Sequence, residues 1–413
     1  MKNLKTVLVA LFVTALFISC KSDDDDPVQQ PSAEVKTGEL TQNEIWTADR
    51  IYQIQGKLIV NNGVTLTIQP GTIIKGKEGD GTNASALVVA RGGKLMAVGT
   101  ADKPIIFTSI LDNIEVGQKT GTNLDETDSA KWGGVIVLGN AKVSDKVGDT
   151  EGHIEGIDAD AVYGKYGGND NADNSGVIKY VSIRHGGISI GEGNEINGLT
   201  LGGVGSGTTI DNVEIVSNLD DGIECFGGAV VINHALVAYQ GDDAFDIDQN
   251  FAGKFTNSMV VYKSSVGDEF LEIDGPENST NVNGKFTVEN CLFRDKDNAG
   301  SCDLKSKAQG VVQNNEFESL SKFKVSVKLD TDCTTVLTDA YTHYVDGDLE
   351  IKTNKTDAPL ELYTKTEGCS VPTVQIDAAA SVFSAAGNAM SVSPTTVQES
   401  DFSWTWTAEN NKF

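Results

Sequence analysis

Three stretches of this chain alternate acids with apolar residues in the same order. Asp220-Asp221-Gly222-Ile223-Glu224-Cys225-Phe226 matches Asp242-Asp243-Ala244-Phe245-Asp246-Ile247-Asp248, and both match Asp268-Glu269-Phe270-Leu271-Glu272-Ile273-Asp274. Such alternation is what a half-buried strand requires. Side by side in register, the three would point Ile223, Phe245 and Leu271 inward together with Cys225, Ile247 and Ile273. Two outward columns would result: Glu224, Asp246, Glu272 and Asp303 in one, Phe226, Asp248, Asp274 and Lys305 in the other. Carboxylates one strand spacing apart repel by about 3 kcal/mol at an effective dielectric near 20, and by less than about 1 kcal/mol in open water. Such a ladder needs a cation, protonation, a basic neighbour or full solvation. Hard, multi-carboxylate oxygen sites suit calcium, so Glu224, Asp246, Asp248, Glu272, Asp274 and Asp303 are candidate calcium ligands; a solvated acidic face is the plainer alternative. Paired carboxylates also perform acid/base glycoside hydrolysis, a task for Asp221, Asp242, Asp243 and Asp246. A lyase would need a base near the cation, and Lys305 is the nearby candidate.

The elements that would align these residues are short, β-branched strands in a glycine-rich chain with 44 Gly and only 8 Pro. An asparagine falls between short apolar runs at 212, 233, 257, 290 and 314, one every 21 to 33 residues. That rhythm suits one coil of a parallel β-helix, since stacked coils put like residues about 4.8 Å apart. The asparagines would then share one corner and bond along the stack. In the N-terminal half, Gly56-Lys57-Leu58-Ile59-Val60, Gly63-Val64-Thr65-Leu66-Thr67-Ile68 and Gly71-Thr72-Ile73-Ile74 continue the series. Ala86-Leu87-Val88-Val89 and Pro104-Ile105-Ile106-Phe107-Thr108 extend it. Polar insertions near 111–131 and 144–175 do not read as core and are loop candidates on one face, where repeat proteins carry binding function. The fold class is therefore all-β: a right-handed, single-stranded parallel β-helix over residues 39–317. Residues 318–413 lose the asparagine rhythm and read as a C-terminal β cap or small domain covering the open strand edges. Their Trp404 and Trp406 read as packing rather than as a sugar platform.

Several motifs resemble known families. Asn62-Gly63-Val64-Thr65-Leu66-Thr67-Ile68-Gln69-Pro70-Gly71-Thr72, Trp132-Gly133-Gly134-Val135-Ile136-Val137-Leu138-Gly139-Asn140-Ala141 and Asn194 to Gly205 are similar to signatures of surface lipoproteins of Bacteroidetes and related bacteria. The resemblance covers roughly residues 50 to 317 and the closing Phe402 to Thr407. It implies a pectin-lyase-like β-helix and carries no activity with it. Asp220-Asp221-Gly222 followed by Gly241-Asp242-Asp243 is similar to the aspartate motifs of polygalacturonase-type glycoside hydrolases. That family's later Gly-His-Gly and Arg-x-Lys do not appear here, and His185 precedes the acids.

The N-terminus reads as an address. Lys2 and Lys5, the apolar run Val7 to Ile18, and Ser19-Cys20 lay out a secretory signal over residues 1–19. Leu16-Phe17-Ile18-Ser19-Cys20 resembles a lipobox, which implies acylation of Cys20 and anchoring in a lipid bilayer. Residues 20–38, with Asp23 to Asp26, read as an acidic flexible tether, and such a run resembles the surface-export signal of those lipoproteins. The expected location is the bacterial outer membrane, facing the cell exterior. A net charge of −27 without a basic patch argues against nucleic acid. Of the cysteines left after Cys20, Cys333 and Cys369 are the candidate disulfide, and Cys225 is a core thiol. The function expected is non-catalytic binding or presentation of an extracellular glycan or an outer-membrane protein partner. A polysaccharide hydrolase or lyase and a passive envelope component are the alternatives.

Overall fold

The computed structural model describes residues 33–145, 150–191, 194–277 and 280–413. The expected signal peptide, Cys20 and most of the expected tether lie outside these residues.

The chain winds into a parallel β-helix with three faces. On the first face, Gly38 to Leu40 pairs with Leu58 to Val60, and the stack runs on through Ala86–Val89, Val135–Leu138, Leu199–Gly202 and Ile223–Phe226. It continues through Phe245–Asp248, Leu271–Asp274, Gly300–Lys305, Leu320–Leu329 and Leu360–Thr364. The second face stacks Glu44–Trp46 through Leu349–Lys352. The third stacks the start of Ile51–Val60 through Glu316–Glu318. Between the faces runs one continuous core. It holds Ile223, Phe245, Leu271 and Cys302 in one inward row and a chain of rings from Phe245 through Phe293 and Phe317 to Phe323.

The corner between second and third faces is a column of left-handed residues: Tyr180, Asn212, His234, Asn257, Asn290, Asn314 and Thr353, with φ from 49 to 56°. Only residues that tolerate that region fit, which is why asparagine recurs there. The second coil corrects the sequence reading. His234, not Asn233, is left-handed, and Asn233 instead accepts from the Asn257 amide at 2.7 Å and donates to Asp211 at 2.8 Å. One position inward, Asn315 Oδ1 accepts the Cys291 N–H at 2.9 Å and Asn354 Oδ1 accepts the Asn315 N–H at 3.0 Å. The asparagine rhythm thus passes residue 318 in an adjacent row.

Both β-helix boundaries move outward for the same reason, strand pairing. Glu34–Leu40 is a strand, so the last residues assigned to the tether belong to the first coil. At the other end the first face continues to Thr364. The cap is helical rather than β: the helix Thr373–Ala385 sets Ala379 and Phe383 over the open end, with Phe383 5.9 Å from Phe323. Cys333 and Cys369 are joined in a disulfide beside it. With its ends 36 positions apart in sequence, that crosslink restricts the unfolded cap by about 4 kcal/mol. The Cys333→Ser, Cys369→Ser double variant is expected to lose about that much in denaturant melts, with the coils upstream unchanged in hydrogen exchange; equal melting of variant and parent would contradict it.

The insertions are not all loop, and they cover different faces. Ile114 packs on Ile73 and Ile106 of the third face. Val143, Ile154, Ile157 and Tyr166 pack on Ile59, Val88, Ile136 and Leu138 of the first. Those strands are apolar on both sides because both sides are buried. After the cap, the chain turns back along the third face. Phe402 and Trp406 pack among Val216, Leu236, Met259 and Val261. Trp404 lies edge-on to Tyr180 at 5.4 Å and Trp406 edge-on to His185 at 6.0 Å.

Candidate functional site

Beyond the cover provided by Val143, Ile154, Ile157 and Tyr166, the first face turns from apolar to acidic on its outer side. Pairing aligns Thr200, Glu224, Asp246, Glu272, Asp303 and Lys324 in one column. In the neighbouring column Phe226 lies beside Asp248, and Asp274 beside Lys305. A third row precedes each strand: Asp221 and Asp243 are followed by Glu269, and the two aspartate carboxylates each cap the next coil. Asp221 Oδ1 accepts the Asp243 N–H at 2.9 Å, and Asp243 Oδ1 accepts the Glu269 N–H at 2.7 Å. These two aspartates therefore hold the stack together.

The columns divide into two electrostatic halves. Toward the C-terminus the acids have found bases. Lys305 bonds Glu272 and lies 3.5 Å from Asp274. Lys324 bonds the buried Glu269 and lies 3.5 Å from Asp303, which also accepts the Tyr363 hydroxyl at 2.8 Å. Toward the N-terminus they have not. Oxygens of Asp221, Glu224 and Asp246 lie within 4.8 Å of one another, and all three side chains are buried. Their charged surroundings are acidic: Asp220, Asp242 and Glu272 near Asp221, and Glu155 and Asp248 near Glu224. Burial, then this crowding, pushes the carboxyls of Asp221, Glu224 and Asp246 well above the ordinary range. Burial and Asp221 push Asp243 up to about 11, and burial and Asp274 push Asp248 to about 8.

Of the proposed calcium ligands, then, the structure groups Glu224 and Asp246 with Asp221. Asp248 stands aside, and Glu272, Asp274 and Asp303 are engaged by lysines. Of the catalytic candidates, Asp221 and Asp243 are backbone caps and Asp242 is exposed. Lys305 has its ammonium form stabilised by Glu272 and Asp274 against the cost of burial, the reverse of what a general base needs.

Sequence reading missed Asn197, whose amide nitrogen donates to Glu224 and whose side chain is 1 % exposed. The signal was present, because the pairing of Leu199 with Ile223 puts Asn197 one coil from Asp221. It also missed a cleft of about 880 Å³ at the edge of this face, lined by Asp248, Asp274, Lys307, Lys328, Lys365 and Thr338 among others. Its lysines come from segments far apart in the chain, and nothing local announces them.

Across residues 38–409 the chain matches the family model described as a pectate-lyase-like β-helix domain. No curated protein and no solved structure matches it.

Proposed function

Because the chain belongs to the pectate-lyase-like β-helix domain family, we propose that it binds an extracellular glycan along the first face and holds it without cutting it. The observation that carries this reading is the 880 Å³ cleft beside the acid columns. Among its lining residues Asp248 and Asp274 offer acceptors and Lys307, Lys328 and Lys365 offer donors, groups that can fix the orientation of sugar hydroxyls. Among the described residues none of those three lysines is ion-paired to a carboxylate, whereas Lys254, Lys305 and Lys324 are.

The hydrolase reading has less support. Its acid pair would need carboxyls about 5–5.5 Å apart for retention or about 6.5–9.5 Å for inversion, open to the sugar. Asp221, Glu224 and Asp246 are crowded more closely and are 7, 5 and 7 % exposed. The lyase reading lacks a base while Lys305 stays paired. Anchoring through an acylated Cys20 at the outer surface of a bacterial cell is part of the proposal. It is supported by the sequence of the N-terminal segment alone.

The test is a panel of neutral and acidic polysaccharides in affinity electrophoresis, read alongside product analysis. Retardation by at least one polymer without new reducing ends or unsaturated sugars is expected. The Lys328→Ala, Lys365→Ala double variant should weaken retention about tenfold, as loss of about 1.4 kcal/mol implies. Released products would make the protein an enzyme, and retention untouched by the double variant would remove the cleft from the argument.

A further inference from the structure

We infer that Asp221, Glu224 and Asp246 hold a hard divalent cation against the outer side of the first face, with the Asn197 side-chain carbonyl as a neutral fourth ligand. The site is separate from the glycan cleft and does not depend on what the cleft binds.

One oxygen from each of the three carboxylates lies within 4.8 Å of the others, close enough for a single ion to reach all three. A set of several protein oxygens suits calcium, which takes about six to eight such ligands, better than magnesium, which keeps most of its own waters. Two further observations point to a missing partner rather than to a chance crowd of acids. Asp246 Oδ1 is buried and has no hydrogen-bond donor. Asn197 Oδ1, on a side chain 1 % exposed whose amide nitrogen already touches Glu224, has none either. A buried acceptor left unmatched costs about 1–3 kcal/mol, and more when charged. The nearest ammonium in these columns, Lys305, is held by Glu272 and Asp274 on later coils. The ligands come from three successive coils of the first face, at Leu199–Gly202, Ile223–Phe226 and Phe245–Asp248. The ion therefore acts as a fastener, out of a polymer's reach.

The experiment uses the full chain, stripped with chelator and dialysed, then titrated with calcium chloride alone, and in parallel with magnesium chloride. Calorimetry should give one calcium equivalent, and the melting temperature should rise by several degrees at millimolar calcium. Magnesium should bind at least tenfold more weakly. Asp246→Asn and Glu224→Gln, nearly isosteric changes, should each weaken calcium binding at least thirtyfold, and Asn197→Ala about tenfold. Metal content of the untreated protein by mass spectrometry gives an answer even if a variant fails to fold, with one calcium per chain expected. No calcium in the untreated protein together with no heat and no melting shift would overturn the inference. So would calcium binding that Asp246→Asn leaves intact.

Discussion

Glu214→Ala will lower stability by about 5 kcal/mol and free the C-terminal segment from the third face. Glu214 is fully buried and accepts from Trp406 N–H at 3.0 Å, Thr407 N–H at 2.9 Å, the Thr407 hydroxyl at 2.8 Å and the Ser182 hydroxyl at 2.5 Å. Through Ser182 it also faces Arg184, which is 1 % exposed and donates to Ser182 at 2.7 Å. Alanine strands these donors and takes from a buried guanidinium the foremost of its counter-charges, with only Asp112 and Glu409 left, and loss of one partner from a buried pair costs about 3–5 kcal/mol. Tryptophan emission should shift to the red as Trp404 and Trp406 meet water, and protease should cut first after the cap. Glu214→Gln keeps an acceptor and should cost about 2 kcal/mol. An alanine variant that melts like its parent, with an uncut tail, would show that the carboxylate is idle.

With divalent cations removed by chelator, the melting temperature will fall as pH rises from about 5 to about 9, by on the order of 10 °C. Unfolded carboxyls titrate near 3.9–4.3. In the fold those of Asp221, Glu224 and Asp246 are raised by burial and by one another, Asp243 to about 11 and Asp248 to about 8. Between the two sets of values the folded chain holds more protons than the unfolded one. The stability these groups contribute is complete below the unfolded values and is lost as pH climbs through the folded ones. Opposite shifts set the acid limit. Asp211 beside Lys179, and Glu316 beside Lys355, have lowered carboxyls whose contribution disappears below about pH 4. Asp246→Asn should flatten the alkaline slope, and saturating calcium should reduce it to what Asp243 and Asp248 contribute. A melting temperature that holds steady or climbs from pH 5 to 9 in chelator would mean that the carboxyls are solvated after all.

The strand register was readable because each inward position repeats its chemistry: Ile223, Phe245, Leu271 and Cys302 fall in one row as apolar residues. Left-handed corners were nearly readable. The backbone there selects for tolerance of positive φ, not for asparagine as such, and His234 satisfies it while its neighbour Asn233 draws the eye. What relieves the acids was hidden. Lys324 and Tyr363 reach Asp303 from coils placed beyond the expected boundary, and their spacing follows no shared motif. Asp221 and Asp243 looked catalytic because an aspartate pair before a strand serves equally as a cap for the next coil. Sequence cannot say which way the carboxylate turns. The unbroken apolar runs at Ala86–Val89 and Val135–Leu138 did announce that the first face is covered there, a stronger clue than the polar composition of residues 144–175 that argued the opposite.

In a solenoid each turn ordinarily feels only the turns above and below it, so the ends fray and damage stays local. Residues 396–413 break that rule. They touch Asn290 and Arg294, then Glu214, then Glu126 and Tyr239, reaching turns as far apart as those of Glu126 and Arg294. Nearest-neighbour coupling thereby becomes long-range coupling, and peeling from the capped end cannot proceed one rung at a time. Under a pulling force, extension should come in one large rip rather than a staircase.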